Sequence, residues 1–168
     1  CTQCRRGKFN QCMNSRLMGT QFDGVFSDLA DIENSMLVNI SELTHSEQLL
    51  RSATCLEPAG VAFLACQNAR LGSSDRLVIL GAGPIGYFSA MVARVLFGVQ
   101  RIAVVEPEQF RRMHVRSWAD EVFSIEEYFD SSDEFDAAIE TSGDMRILAR
   151  TVGRREDGTG GCRRGQRY

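Results

Sequence analysis

Histidine, tryptophan and proline are scarce in this chain of 168 residues, with two, one and three copies. The two histidines leave little room for imidazole chemistry. His45 falls inside a helix-start motif and reads as solvated, and His114 lies on a helical run with no partner motif and reads as structural. No apolar run reaches membrane length and no signal peptide is visible, so no membrane partner is expected. Excess positive charge is also lacking. The net charge is −3, which implies no general affinity for nucleic acid. That average hides a split: residues 144–168 carry seven arginines against three acids, so the net negative charge lies in residues 1–143. The hydrophobic content of 43% suits a globular protein, and the length suits one domain or one and a half.

What is present is organised around residues 76–106. Residues 77–80, Leu-Val-Ile-Leu, form an unbroken apolar run, as in a parallel strand buried on both faces. The run enters Gly81-Ala82-Gly83-Pro84-Ile85-Gly86, a G-x-G-x-x-G. Ile85, Phe88, Val92, Val95 and Leu96 then recur at helical spacing. Pro84 suits the first helical turn and Gly98 the stop. A second apolar strand, 102–105, ends at Glu106. Gly81 permits a tight turn, Gly83 a close approach to a pyrophosphate, and Gly86 close packing of helix on sheet. The free N–H groups of the helix start face the phosphates, and Glu106 accepts bonds from an adenosine ribose. The glycine motif alone is weak, but here it stands in its required strand–loop–helix–strand context. The rival reading is a plain βαβ unit with a glycine turn. Glu106 favours NAD by repelling a 2′-phosphate, whereas Arg111 and Arg112 leave NADP open.

Six cysteines are present, three of them at the start: Cys1, Cys4 and Cys12, a C-x2-C-x7-C. That crowding reads as metal rather than disulfide, and it fits a reducing, cytoplasmic setting. Zinc takes four ligands in structural sites, so a fourth is expected upstream in a longer protein. Three loop cysteines without metal are the alternative. Residues 13–43 read as short strands and turns, with a turn at Asp23-Gly24 and strands at 25–26 and 36–40. Thr44-His45-Ser46-Glu47 reads as a capping box. A helix is expected over 59–69. Glu57, just before Pro58 in an apolar neighbourhood, is either a buried carboxylate in need of a metal or cation, or an exposed helix-start acid. Cys55 and Cys66 read as small core residues.

Beyond the glycine motif, 109–117 reads as helix, 121–123 as a third strand, 125–135 as an acidic helix or loop, and 136–140 as a fourth strand. Parallel strands with helical crossovers give an α/β, doubly wound sheet in the order 3-2-1-4, with strands five and six absent. From about residue 150 apolar periodicity is lost, and 150–168 is expected to be disordered, an aberrant tail. An arginine–glycine tail that holds RNA is the lesser reading.

Together these residues resemble the zinc-dependent medium-chain alcohol dehydrogenase family, and within it the polyol branch of sorbitol, threonine, glucose and aminocyclitol dehydrogenases. Cys1, Cys4 and Cys12 match three of the family's four structural-zinc cysteines. Leu56-Glu57-Pro58 resembles the polyol branch, which has Glu where alcohol dehydrogenases place a catalytic-zinc Cys, so the resemblance implies that Glu57 faces the catalytic zinc. The sequence 78–86 matches the cofactor loop, and 135–143 the strand leading to the nicotinamide pocket. Trp118 departs from the usual Gly before Ala119-Asp120, so either the helix ends differently or the Trp packs against a neighbour. The resemblance covers roughly residues 1–143. It implies the C-terminal part of a GroES-like domain with its zinc lobe over 1–56 and a truncated Rossmann domain over 57–149. The chain then reads as an internal piece of a longer NAD(P) enzyme, a homo-oligomer, oxidising a secondary hydroxyl of a polyol, sugar or amino alcohol. A zinc-free quinone or enoyl reductase and a non-catalytic dinucleotide-binding fragment are the alternatives.

Overall fold

The computed structural model describes residues 1–43 and 45–153, and the backbone of 162–167. It divides into two compact units at His45/Ser46, ahead of the 56/57 boundary expected from the sequence.

Among its described residues the first unit, Cys1–His45, holds one short helix, α1 (Thr2–Arg5), and three single-turn 3₁₀ segments at Phe9–Gln11, Asn34–Met36 and Ser41–Leu43. The strands expected at 25–26 and 36–40 do not form; the one isolated bridge among the described residues joins Met18 and Phe22. The reason is physical. A strand needs a ladder partner and an apolar surface to face. Phe26 and Val38 instead stand almost fully in solvent.

The second unit opens with α2 (Glu47–Ala53) and α3 (Leu56–Asn68). Ser46 caps α2, its hydroxyl accepting from Leu49 N at 3.3 Å. The expected cap, Thr44, lies outside the described residues. Then follow β1 (Arg76–Leu80), α4 (Pro84–Leu96), β2 (Arg101–Val105), α5 (Gln109–Val115), β3 (Glu121–Phe123), α6 (Ile125–Asp130), β4 (Phe135–Glu140), α7 (Met145–Gly153) and β5 (Cys162–Arg167). All pairings are parallel, in the order β3-β2-β1-β4-β5. The doubly wound 3-2-1-4 arrangement is therefore present, with a fifth strand added beside β4.

That fifth strand corrects the expectation of a disordered tail. Helix α7 already runs to Gly153, and β5 pairs along β4 from Phe135↔Cys162 to Glu140↔Arg167. An added strand is held by main-chain hydrogen bonds, which arginine and glycine supply as well as valine does. The intervening residues 154–161 lie outside the described residues.

Alternate residues of the central strands feed two cores. Leu77, Ile79, Ile102, Val104, Ala137 and Ile139 face α3 and α4, while Val78, Leu80, Ala103, Val105 and Ala138 pack with Tyr128 of α6 and Ile147 and Leu148 of α7. Both faces are covered, as a parallel sheet requires. Helix α4 buries small residues, Gly86, Ser89, Ala90 and Ala93, together with Val92. Val95 and Leu96, expected on the buried stripe, are mostly exposed. Small residues let α4 approach β1 and α3 closely, and the larger side chains fall to its flank. Cys66 is buried in that contact as expected, its thiol against the Ser89 carbonyl at 3.7 Å; Cys55 is exposed instead.

Candidate functional site: a glycine bend at the sheet's switch point

The bend between β1 and α4 lies where the chain leaves the centre of the sheet, with β2 on one side of β1 and β4 on the other. Ligands of open α/β sheets bind at such switch points, off the carboxyl ends of the strands. Three glycines make the bend, each for a different reason. Gly81 sits at φ +102°, and a Cβ there would press on Thr141 and Ser142. At Gly86 a Cβ would drive into the Gly81 carbonyl and the Thr141 hydroxyl. At Gly83 a Cβ would meet no protein atom within 4 Å, so protein packing does not require that glycine. The open space beside Gly83 is what a pyrophosphate needs, and it adjoins a helix start whose first N–H groups have no intrahelical acceptor. Gly83 is the N-cap of α4, and Pro84 occupies the first turn without an N–H to waste. Ile85 is half-buried beside it. The residues present fit a dinucleotide.

Glu106 ends the chain's path through β2 and is 2% exposed. Its Oε2 accepts from Ala82 N at 2.7 Å and its Oε1 from Glu108 N at 3.0 Å. The two candidate arginines separate. Arg112 donates to the carbonyls of Glu106 and Pro107, at 2.7 and 2.5 Å, and so stitches the start of α5. Arg111 stands mostly in solvent, with its guanidinium 4.0 Å from Glu106 Oε1.

In the first unit, Cys1, Cys4 and Cys12 gather their sulfurs within 4.8 Å of one another. Cys1 Sγ lies 3.6 Å from Cys4 Sγ and 3.9 Å from Cys12 Sγ. A tetrahedral zinc with Zn–S bonds of ~2.3 Å spaces its sulfurs ~3.8 Å apart. The trio fits three corners of that tetrahedron and is far outside disulfide length. The Asn14 amide, 3.4 Å from Cys12 Sγ, holds the Cys12 thiol below its ordinary pKa; the hydrogen bond that the Cys4 thiol gives to Cys12 raises that of Cys4.

Glu57 lies in the first turn of α3 and is exposed. The helix begins at Leu56, earlier than expected, and in this chain Glu57 sits on its solvent side. Among the described residues it joins no cluster of three metal donors.

No protein-family model matches the chain. Among curated proteins it is similar to L-threonine 3-dehydrogenase of Pyrococcus horikoshii, 32% identical over 112 residues, covering 67% of this chain and 30% of that protein. It is also similar to sorbitol dehydrogenase of Arabidopsis thaliana, 30% identical over 126 residues, 74% of this chain and 34% of that one. The chain belongs to the zinc-dependent medium-chain alcohol and polyol dehydrogenase family. Among solved structures, L-idonate 5-dehydrogenase of Escherichia coli shares the fold, with a TM-score of 0.76 at 22% identity over 90% of this chain and 46% of that one. The chain spans about a third of the length of these curated relatives.

For a medium-chain dehydrogenase the Trp118 departure has a structural answer in both parts. Helix α5 ends at Val115, and Arg70 is the one non-glycine residue with positive φ among those described, so no positive φ is asked of Trp118. The indole also packs on the main core and donates to the Tyr87 hydroxyl at 2.9 Å. Two residues beside the bend, Glu140 and Thr141, were not singled out in the sequence, although both lie in the stretch 135–143 matched there to the nicotinamide strand. Glu140 carried a usable signal, the same one that marks Glu106: an acid closing an apolar strand. Thr141 carried none, because its partners Leu80 and Gly81 lie sixty residues away.

Proposed function

We propose that this chain is the cofactor-binding portion of a zinc-dependent NAD(P) dehydrogenase that oxidises a secondary hydroxyl of a polyol, sugar or amino alcohol. The observation that carries the reading is the open space at Gly83, set between two glycines that packing does require. Bound nicotinamide would supply the hydride acceptor, and bound catalytic zinc the Lewis acid that lowers the hydroxyl's pKa. This chain's residues do the orienting. The start of α4 receives the diphosphate, and Glu106, anchored by Ala82 and Glu108, offers its remaining lone pairs to the adenosine ribose. NAD is the preferred cofactor, because a 2′-phosphate would meet the Glu106 charge; Arg111 is the residue that would accept NADP instead. Cys1, Cys4 and Cys12 hold structural zinc, and Glu57 faces the catalytic zinc in the complete enzyme. The substrate is a small hydroxylated molecule; a homo-oligomeric, cytoplasmic enzyme is the setting proposed. Among the described residues no single helix is long and apolar enough to cross a membrane.

One observation favours a narrower role for the chain by itself. Among the described residues Glu57 stands exposed outside any donor cluster, so the 168 residues should bind cofactor without turning over substrate. Titrating NADH into the chain, with a polyol oxidation assay alongside, tests both statements. Failure to bind NADH or NADPH would remove the dehydrogenase reading; turnover by the chain alone would remove the narrower one.

A further inference from the structure

The cofactor reading leaves a buried carboxylate without a task. Glu140 is fully buried at the C-terminal end of β4, in register with Leu80, the last residue before the glycine bend. Its Oε1 accepts three hydrogen bonds, from Ser142 N at 2.6 Å, Ser142 Oγ at 2.6 Å and Gly143 N at 2.9 Å. Its Oε2 is buried and has no hydrogen-bond partner among the described residues. Burying a carboxylate is costly, and a carboxylate held through one oxygen recovers only part of that cost. None of these three bonds reaches a neighbouring strand. All three go to the turn that follows.

That turn is the wall opposite the glycine bend. A Cβ on Gly81 would come 3.0 Å from both Ser142 N and Thr141 Oγ1. Thr141 Oγ1 donates to the carbonyls of Leu80 and Gly81, at 3.0 and 3.2 Å, and its amide donates to Leu80 at 2.9 Å. The same hydroxyl would lie 2.8 Å from a Cβ on Gly86. Thr141 thus fills the gap between the first and third glycines, and Glu140 fixes the backbone immediately after it. Gly143, whose amide is the third donor, sits at φ +81°, where a side chain would be strained.

We propose that Glu140 is a positioning residue for the dinucleotide: by clamping the backbone at Ser142 and Gly143 it seats Thr141 between Gly81 and Gly86, and so sets the shape of the diphosphate cradle. The proposal rests on the dinucleotide reading above. Glu140 itself does not touch the cofactor in it.

The test is NADH affinity, read from nicotinamide fluorescence on the intact chain, with thermal melting on the same samples. E140L removes the acceptor and should weaken NADH binding about tenfold, with a folded melting transition retained. E140Q keeps an acceptor oxygen for the three donors and should restore affinity to within about threefold of the unaltered chain. S142A deletes one of the three bonds and should weaken NADH binding about threefold, with a folded melting transition retained. A carboxylate that serves stability alone would move melting and leave affinity in the folded variant unchanged. Unchanged NADH affinity in folded E140L overturns the proposal, as does an E140Q as weak as E140L. Should E140L not fold, S142A decides, and unchanged affinity there overturns it. Failure of the unaltered chain to bind NADH or NADPH is read before any variant and overturns the cofactor reading instead.

Discussion

The Ala82 amide donates to Glu106 Oε2 at 2.7 Å, tying the acid at the end of β2 to the bend at the end of β1. One carboxylate therefore orders the loop and, in the proposed complex, holds the ribose. The two tasks separate by substitution. E106A strands a buried amide and should cost about 1–3 kcal/mol of stability as well as NADH affinity. E106Q loses the charge and keeps an acceptor oxygen for only one of the two amides, Ala82 or Glu108, the other facing its NH2. Its melting should fall by less than that of E106A, while the NADPH-to-NADH affinity ratio rises. Dissociation constants for both cofactors check this; an unaltered chain that binds NADPH more tightly than NADH would overturn the preference for NAD.

Gly83 and Gly86 should respond oppositely to alanine. At Gly86 the added methyl meets the Gly81 carbonyl and Thr141, and overpacking of this kind costs about 1–3 kcal/mol. At Gly83 the methyl enters open space at ordinary backbone angles, φ −67° and ψ −177°. G83A should therefore melt like the unaltered chain and bind NADH poorly, whereas G86A should lose both. Undiminished NADH binding by G83A would mean that the space beside Gly83 is not where the diphosphate lies.

The parts legible in the sequence are those written in side-chain type and spacing. The β1–α4–β2 unit, β3 and β4 are apolar runs broken by glycine or acid, and the local pattern is enough to place them. The segments misread are those decided by partners far along the chain. Val25, Phe26 and Val38 have strand-like side chains but no ladder to join. Strand β5 has no apolar pattern, and its pairing along β4 is a backbone property that composition conceals. Val95 and Leu96 look like core residues, yet α4 packs through its small residues. The glycine bend was visible as a motif, and Glu140 as an acid closing an apolar strand; the place of Thr141 against Leu80 and Gly81 became visible only through contacts across the sheet.

The cysteine trio should bind zinc through Cys1, Cys4 and Cys12. Cobalt in place of zinc should produce a thiolate-to-metal charge-transfer band, and metal content after dialysis should fall in C4S and C12S alike. With three thiolates identified, binding should be weaker than in a closed four-thiolate site. Removal by a chelator should leave melting of the second unit unmoved, because its cores are built from residues after His45. Metal retained equally by C4S and C12S would show that the sulfurs gather for another reason.

Cys66 gives the chain an alkaline limit that can be measured. Burial between α3 and α4 pushes its thiol up from 9.0 to about 12. Below pH 9 the thiol is protonated in both folded and unfolded chains and has no effect on the balance. Above it the unfolded chain ionises first while the folded chain keeps the proton. Stability therefore falls as pH rises from about 9 to about 12, by up to about 1.4 kcal/mol per pH unit. C66A lacks this titration, so the difference in unfolding free energy between the two chains should be level from pH 7 to 9 and decline beyond. Urea unfolding across that range reads it directly. At pH 8, a thiol reagent should also modify exposed Cys55 and spare Cys66 until the chain unfolds. A level difference up to pH 11, or rapid labelling of Cys66 in the folded chain, would mean that the α3–α4 contact opens readily and is not the closed small-residue seam seen here.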